Sequence, residues 1–333
     1  MTERIRVLQY GLGPIGCALA RLAAQRPGLE LVGAVDIAPS LQGKDLGEVL
    51  EMDRRLGVKV MADAASALRQ ARPDVVLHAT GSSLSAVKGQ LLGIIEAGAH
   101  VVSTCEELSY PFYRYPDLSR NLDRAAQEHG VALVGTGVNP GFVMDKLVAT
   151  LLTACTKVDR VDVSRVVDAA GRRGPLQRKV GAGMSVAEFQ ALADANKIGH
   201  VGLPESAHML ADVLKLPPDR KLVEELKPKV AEREVKTQFV HVLPGQVAGV
   251  DQTAAVLVNG REIIRLHLEM YVGAPQPIDR VLVEGMPRLE MAITTGVHGD
   301  VATAAISVNC VPLMSALRPG LRTMLDVPAR ITP

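Results

Sequence analysis

Over roughly the first 135 residues, short uninterrupted apolar runs alternate with longer stretches whose apolar residues recur at helical spacing. The runs at 5–10, 29–35, 74–79, 100–104 and 131–134 read as strands. Unbroken apolar character means burial on both faces, as in a parallel sheet covered by helices. The stretches after residue 16, up to 71, at 84–97 and at 116–129 read as helices. Strand–helix alternation of this kind predicts an α/β fold with a doubly wound parallel sheet. The period then changes. Residues 157–167, 237–243, 247–258, 262–272 and 279–283 alternate apolar and polar as half-buried strands do. Ser185 with Glu188 three residues on forms a capping box that opens a helix, and a second helix lies within 200–216, after Pro204. Residues 177–184 read as a basic, glycine-bearing loop. A final helix over 300–317 is expected to return to the first sheet. The pattern divides into an α/β domain over 1–150, an α+β domain over 151–295 and a tail over 296–333.

The first strand runs into Gly11-Leu12-Gly13-Pro14-Ile15-Gly16 and then a helix, the strand–GxGxxG–helix order of a dinucleotide site. Gly11 permits the tight turn, Gly13 admits a pyrophosphate close to the backbone, and Gly16 lets helix and strand pack. The helix start offers N–H groups and positive dipole to the phosphates. The second strand ends in Asp36, 20 residues after Gly16, where a carboxylate reaches the adenosine ribose hydroxyls. That carboxylate favours NAD over the 2′-phosphate of NADP, although Lys44 follows closely enough to leave NADP open.

Three strand-end loops converge on where the nicotinamide of such a cofactor would lie. The first is Thr80-Gly81-Ser82, the second runs from Ser103-Thr104-Cys105-Glu106-Glu107 to Pro111, and the third is Gly135-Thr136-Gly137-Val138-Asn139-Pro140-Gly141-Phe142. If the second loop is extended, Glu106 and Glu107 point opposite ways, so at most one faces the cleft. A carboxylate there can hold an amine or ammonium ion and can take and return protons. Asn139 is either a helix cap ahead of Pro140 or a contact to cofactor or substrate. Cys105 has no His/Asp partner set and reads as a buried thiol at the cofactor loop, not a nucleophile.

Composition narrows the classes. Lys plus Arg number 37 against 36 Asp plus Glu, a net charge of +1, which leaves no basic excess for a nucleic acid. No apolar run reaches the 18 or so residues of a membrane helix, and the first residues carry no signal-peptide pattern, so a cytoplasmic protein is expected. Four scattered cysteines and eight histidines without ligand spacing give no metal motif. In the second half, Arg172, Arg173, Arg178 and Lys179 are candidates for a substrate carboxylate, or else for a salt-bridged surface. His200 and His208 flank a helix start and can line a substrate pocket.

GLGPIG, STCEELSYP, GTGVNPGF, GPLQRKVGAGM at 174–184 and the tail from Gly299-Asp-Val-Ala-Thr through Asn309, Pro312 and Pro319-Gly-Leu-Arg-Thr-Met together resemble the 2,4-diaminopentanoate dehydrogenase family, which includes native amine dehydrogenases and is related to dihydrodipicolinate reductase. The resemblance implies a Rossmann domain, an α+β domain that dimerises, and reversible deamination of a small amine with NAD or NADP. It places the catalytic carboxylate in the CEE loop. A more distant likeness to homoserine dehydrogenase sets Glu106 opposite a lysine, which favours Glu106 over Glu107. Gly11, Gly13, Pro14, Ile15, Gly16, Asp36, Thr80, Gly81, Ser82, Thr104, Cys105 and Asn139 are then the expected cofactor contacts. Gly137, Pro140, Phe142, Arg178 and His200 are the expected substrate contacts, with an amine or carbonyl and ammonia as small-molecule partners. Alcohol oxidation or cyclic-imine reduction on the same scaffold are the alternatives, and a non-catalytic dinucleotide sensor is a third.

Overall fold

The computed structural model describes residues 4–331. These form two compact units. One runs to Phe142 and resumes at His298; the other is Val143–Val297.

The first unit is built on a seven-stranded parallel sheet. In chain order its strands are β1 (Ile5–Tyr10), β2 (Leu29–Val35), β3 (Val60–Met61), β4 (Val75–His78), β5 (His100–Ser103) and β6 (Ala132–Gly135). A tail strand, Gly320–Arg322, pairs with β6 in parallel. The spatial order is tail strand, β6, β5, β4, β1, β2, β3. Strand order therefore reverses between β1 and β4, and the crevice at their carboxyl ends is the switch point where a doubly wound sheet binds its ligand. Helices α1 (Pro14–Gln25), α2 (Leu46–Val49), α3 (Ala64–Ala71), α4 (Leu84–Glu96) and α5 (Pro116–Glu128) link the strands. Leu91, Ile94 and Ile95 of α4 are fully buried in one core with Leu8 and Val76, each contributing about 1.5–3 kcal/mol of apolar burial. On the other core, Val7, Leu77 and Leu19 meet Ala304 and Val308 of a tail helix, Gly299–Cys310. That helix is shorter than the pattern predicts. Pro312 ends it, and 311–316 continue as a 3-10 helix.

The second unit holds a six-stranded mixed sheet and a separate two-stranded one. Its strands are β7 (Lys157–Asp168), β8 (Lys221–Val230), β9 (Val235–Lys236), β10 (His241–Val242), β11 (Val247–Val258), β12 (Arg261–Tyr271), β13 (Ile278–Met286) and β14 (Leu289–Ile293). The large sheet runs β14-β13-β7-β12-β11-β8, antiparallel except for β12 on β7. Its helices are α6 (Lys146–Leu152), α7 (Gly174–Lys179), α8 (Val186–Asp194) and α9 (Leu203–Val213). The capping box predicted at Ser185 and Glu188 is present.

Three local expectations are corrected. Residues 237–243 do not form a strand of the main sheet: only His241–Val242 is extended, paired with Val235–Lys236. The basic loop at 177–184 begins as helix, its first three residues closing α7. Its Gln177 is buried and pins the preceding turn, donating to the carbonyls of Ala170 and Arg172 at 3.0 and 2.7 Å. Asn139 caps no helix. The peptide to Pro140 is cis, and Gly141 has φ +122°. A side chain there would meet the Gly137 nitrogen at 2.5 Å, so the chain folds back on 136–137. The next helix starts at Lys146, with Asp145 accepting its N–H at 2.6 Å. No described helix is long and apolar enough to cross a membrane.

Candidate active site

The glycine loop after β1 has the shape of a phosphate cradle. Gly11 has φ +91°, and a Cβ there would lie 2.4 Å from the Ala79 carbonyl oxygen. A Cβ on Gly16 would lie 1.9 Å from the Gly11 carbonyl oxygen, so helix and turn touch through it. Gly13 is different. Its φ of −64° suits any residue, and a Cβ would meet nothing within 4 Å. Neither backbone conformation nor packing explains glycine there; open space above the start of α1 does. Pro14 then occupies the first helical turn, where no N–H is lost, and Ile15 packs against the sheet.

Asp36 closes the loop on the β2 side. Its carboxylate accepts from the N–H of Leu12 at 2.6 Å and of Ala38 at 2.8 Å, tying the end of β2 to the glycine loop. Each oxygen keeps a lone pair free to accept a further hydrogen bond.

At the carboxyl end of β5 the two glutamates separate. The segment Glu106–Leu108 is one turn of 3-10 helix, not the extended strand end that would send neighbours to opposite sides. Glu107 is buried, 7% exposed. It accepts from the Leu84 N–H at 2.7 Å and the Tyr115 hydroxyl at 2.8 Å, with Arg114 at 3.4 Å. It thus serves as the cap that Ser83 does not supply to α4. Glu106 is half-buried. Its own carbonyl accepts from the N–H and hydroxyl of Ser109, at 3.1 and 2.8 Å. The residues on either side of it are anchored as well. Cys105 gives its N–H to Ser103 Oγ at 3.1 Å and its thiol to the Ser82 carbonyl at 3.2 Å, and Glu107 gives its N–H to that same carbonyl at 3.3 Å. The loop after β5 is thereby fastened to the Thr80-Gly81-Ser82 loop. The Cys105 thiol is buried and its pKa is pushed up to about 12, first by desolvation and then by the neighbouring Glu106 and Glu107 charges.

Beneath these loops lies a polar cluster that the hydrophobic pattern does not announce. His78 ends β4, fully buried, its ring edge-on to Tyr10 at 5.5 Å. Its Nδ1 meets Ser103 Oγ at 2.8 Å and its Nε2 meets Gln90 Oε1 at 2.8 Å and Thr80 Oγ1 at 2.9 Å. Burial lowers its pKa to about 4, so it is neutral. A histidine inside an apolar strand, DVVLHA, was the available signal.

The loop after β6 contributes Asn139. It is 7% exposed, and neither amide atom has a hydrogen-bond partner among the described residues; nor has the buried Thr136 hydroxyl. An unpaired buried carboxamide costs free energy unless a ligand completes it. The 136–138 turn is held by Thr303 of the tail helix, whose hydroxyl accepts from the Val138 N–H at 3.2 Å. Gly137 and Pro140 are buried here and Phe142 half-buried.

The remaining expected substrate contacts, Arg178 and His200, lie in the second unit. Arg178 is exposed at the end of α7. His200 has its backbone clamped by one amide: Gln252 accepts the His200 N–H at 2.9 Å and donates to its carbonyl at 3.0 Å. Its Nδ1 is buried without a partner among the described residues. Desolvation, with Lys179 and Arg165 beside it, lowers its pKa to about 3. Arg165 itself is committed to a buried ion pair with Asp279 at 2.6 Å. In the same unit β11 and β12 bring Asp251, His267 and Glu269 together. Their groups are spent on one another and on a lysine, His267 pairing Asp251 at 2.8 Å and Glu269 pairing Lys229.

A family model for the C-terminal domain of 2,4-diaminopentanoate dehydrogenase matches residues 142–332. One for the N-terminus of dihydrodipicolinate reductase matches residues 5–105. The chain is 31% identical to the 2,4-diaminopentanoate dehydrogenase of Acetoanaerobium sticklandii, over 98% of this chain and 94% of that protein. It is 25% identical to an amine dehydrogenase of Streptomyces virginiae, over 98% and 97% of the two chains. Its structure matches an amine dehydrogenase from Mycobacterium smegmatis with a TM-score of 0.88 and 27% identity, covering 100% of this chain and 98% of that one. By its sequence along nearly its whole length, the chain belongs to the 2,4-diaminopentanoate dehydrogenase family.

Proposed function

We propose that this protein is a nicotinamide-dinucleotide-dependent amine dehydrogenase, interconverting a small primary amine with its carbonyl compound and ammonia. The observation that carries the reading is the division of labour in the loop after β5. Glu107 is consumed in capping α4, while Glu106, half-buried and held through its backbone, is the second carboxylate of the loop at the carboxyl end of β5. Glu106 holds the substrate ammonium by charge, takes its proton to leave a neutral amine, and returns a proton in the reverse direction. Fixing a carboxylate before the substrate arrives means no reorganisation is needed as positive charge develops on the carbon–nitrogen unit.

The bound dinucleotide supplies the hydride chemistry. Gly11, Gly13, Pro14, Ile15 and Gly16 would seat its pyrophosphate at the start of α1, and Asp36 its adenosine ribose. Thr80, Gly81, Ser82, Thr104 and Cys105 would line its path to the nicotinamide, and Asn139 would complete the carboxamide with its own unpaired amide. Asp36 favours NAD over NADP. Gly137, Pro140, Phe142, Arg178 and His200 are the proposed substrate contacts. Two readings of the substrate follow from the relatives: 2,4-diaminopentanoate, after which one is named, or a simpler amine. A homodimer is the proposed functional form, after the family resemblance, and light scattering tests it.

The test is oxidation of NADH and of NADPH at 340 nm with 2-amino-4-oxopentanoate, small ketones and small aldehydes, each with and without ammonium. Ammonium-dependent oxidation is expected, lowered on the order of 10²–10⁴-fold in Glu106→Gln. Oxidation independent of ammonium would move the reading to alcohol chemistry.

A further inference from the structure

The loop that carries Glu106 is held by hydrogen bonds which converge on one buried side chain. The His78 carbonyl accepts from the Thr104 N–H at 2.9 Å. The His78 ring meets Ser103 Oγ at 2.8 Å, and Ser103 Oγ accepts from the Cys105 N–H at 3.1 Å. Two steps of hydrogen bonding thus lead from the imidazole to the amide just before Glu106.

The partners set the direction of this chain. Gln90 presents its amide oxygen, which is only an acceptor, so the Nε2 facing it carries the proton. The Thr80 hydroxyl donates to the same oxygen at 2.6 Å. Nδ1 is then the bare nitrogen, and it accepts from the Ser103 hydroxyl. With its hydrogen turned to His78, Ser103 Oγ aims its lone pairs elsewhere, and one receives the Cys105 N–H. A histidine is costly at a fully buried strand end unless both nitrogens are satisfied, and here both are. An apolar residue would fill the same volume but would leave Ser103 free to rotate. Fully satisfied buried networks fix a single local geometry.

We infer that His78, acting through Ser103, is a positioning residue that sets the Glu106 loop relative to the Thr80-Gly81-Ser82 loop and α4. The inference rests on the reading of Glu106 as the working carboxylate. It goes beyond that reading by assigning the residue outside the site that determines where the carboxylate stands. A displacement of about 1 Å in a catalytic group lowers turnover on the order of 10²-fold, whereas the glycine loop and Asp36, proposed to seat the rest of the dinucleotide, lie outside this network, so the effect falls more on kcat than on cofactor affinity.

The test compares His78→Phe, His78→Asn, Ser103→Ala and the double variant His78→Phe/Ser103→Ala. Asparagine places a carboxamide oxygen near the position of Nδ1 and can still accept from Ser103, while phenylalanine cannot. Two readouts are used: steady-state ammonium-dependent NADH oxidation, and deuterium uptake by the peptide spanning 104–110 in the ligand-free protein. His78→Phe and Ser103→Ala are expected to lower kcat roughly 10- to 100-fold, with NADH affinity changed less than about threefold. The double variant is expected to be no worse than either single one, because both cut the same link. Uptake in 104–110 rises in these variants, and His78→Asn restores both readouts. Equal failure of His78→Asn and His78→Phe, or full kcat in Ser103→Ala, overturns the assignment. Should His78→Phe not fold, Ser103→Ala and His78→Asn still decide it. Deuterium uptake needs no substrate. A wild-type protein without ammonium-dependent activity would therefore count against the amine reading alone, while unchanged uptake in Ser103→Ala would count against His78.

Discussion

Glu107 Oε2 lies 2.7 Å from the backbone nitrogen of Leu84, so a carboxylate from the loop after β5 caps a helix that follows β4. The bond satisfies an N–H that would otherwise be orphaned and puts negative charge at the positive end of the α4 dipole. Tyr115 and Arg114 reach the same carboxylate. Glu107→Leu therefore strands a buried N–H and a tyrosine hydroxyl, costing about 1–3 kcal/mol and lowering Tm by roughly 2–4 °C per kcal/mol. Glu106→Gln keeps the size and shape of a half-buried side chain and is expected to lower Tm by less than Glu107→Leu does. Thermal melts of the two variants separate the structural carboxylate from the one proposed to work; a larger loss in Glu106→Gln would reverse the assignment.

The glycine loop makes a second paired prediction. Gly13→Ala adds a methyl group where the chain has nothing within 4 Å, so the protein folds with a stability loss of at most about 1 kcal/mol. The same methyl enters the space left for a phosphate. NADH affinity, followed by fluorescence, is expected to fall roughly tenfold or more, the size of an overpacking penalty. Gly16→Ala places its methyl 1.9 Å from a carbonyl oxygen, and is expected to lower Tm before any ligand is added. Wild-type NADH affinity in Gly13→Ala would refute the cradle.

What the sequence discloses about this molecule follows the range of the interactions involved. β1, the glycine loop, α1, β2 and Asp36 are legible because each depends on neighbours within a turn or two, and the capping box at Ser185 is wholly local. The role of Glu107 is not, because its partner lies 23 residues earlier in the chain. Nor is the fate of Asn139, which has a capping residue's sequence context but follows a turn dictated by the fit of Gly141 against Gly137. The strand Lys221–Val230 is not legible in the sequence because most of its residues are exposed, which leaves no apolar alternation to read. The tail strand Gly320–Arg322 is three residues long and takes its identity from β6 beside it. His78 sits in an apolar run that already reads as a strand, so nothing in the pattern marks its ring as polar infrastructure until Ser103 and Gln90 are seen around it.

Cys105 stands beside Glu106, the proposed working carboxylate, yet is expected to be chemically silent. With a pKa of about 12, on the order of one thiol in three thousand is ionised at pH 8.5, and the side chain is buried against the Ser82 carbonyl. Native alkylation with iodoacetamide followed by peptide mass spectrometry is expected to label the half-buried Cys155 first and to leave Cys105 unmodified until the protein unfolds. Labelling of Cys105 at the rate of Cys155 would mean that the loop opens far more readily than its hydrogen bonds imply.

His78 also ties stability to pH. Its folded pKa of about 4 lies below the ordinary 6.5, because burial penalises the charged ring. The unfolded chain takes up a proton as pH falls through 6.5 while the folded chain declines it, so stability is complete above about pH 7 and is lost as pH drops toward 4. Between pH 7 and pH 5 this one residue contributes a loss of about 2 kcal/mol. His200, with its pKa near 3, acts in the same direction. Urea unfolding at the two pH values is expected to show His78→Asn losing about 2 kcal/mol less than wild type over the interval, because asparagine has no proton to gain. Parallel losses in the two proteins would mean that the folded state accommodates a protonated His78, and that Nδ1 is not committed to Ser103.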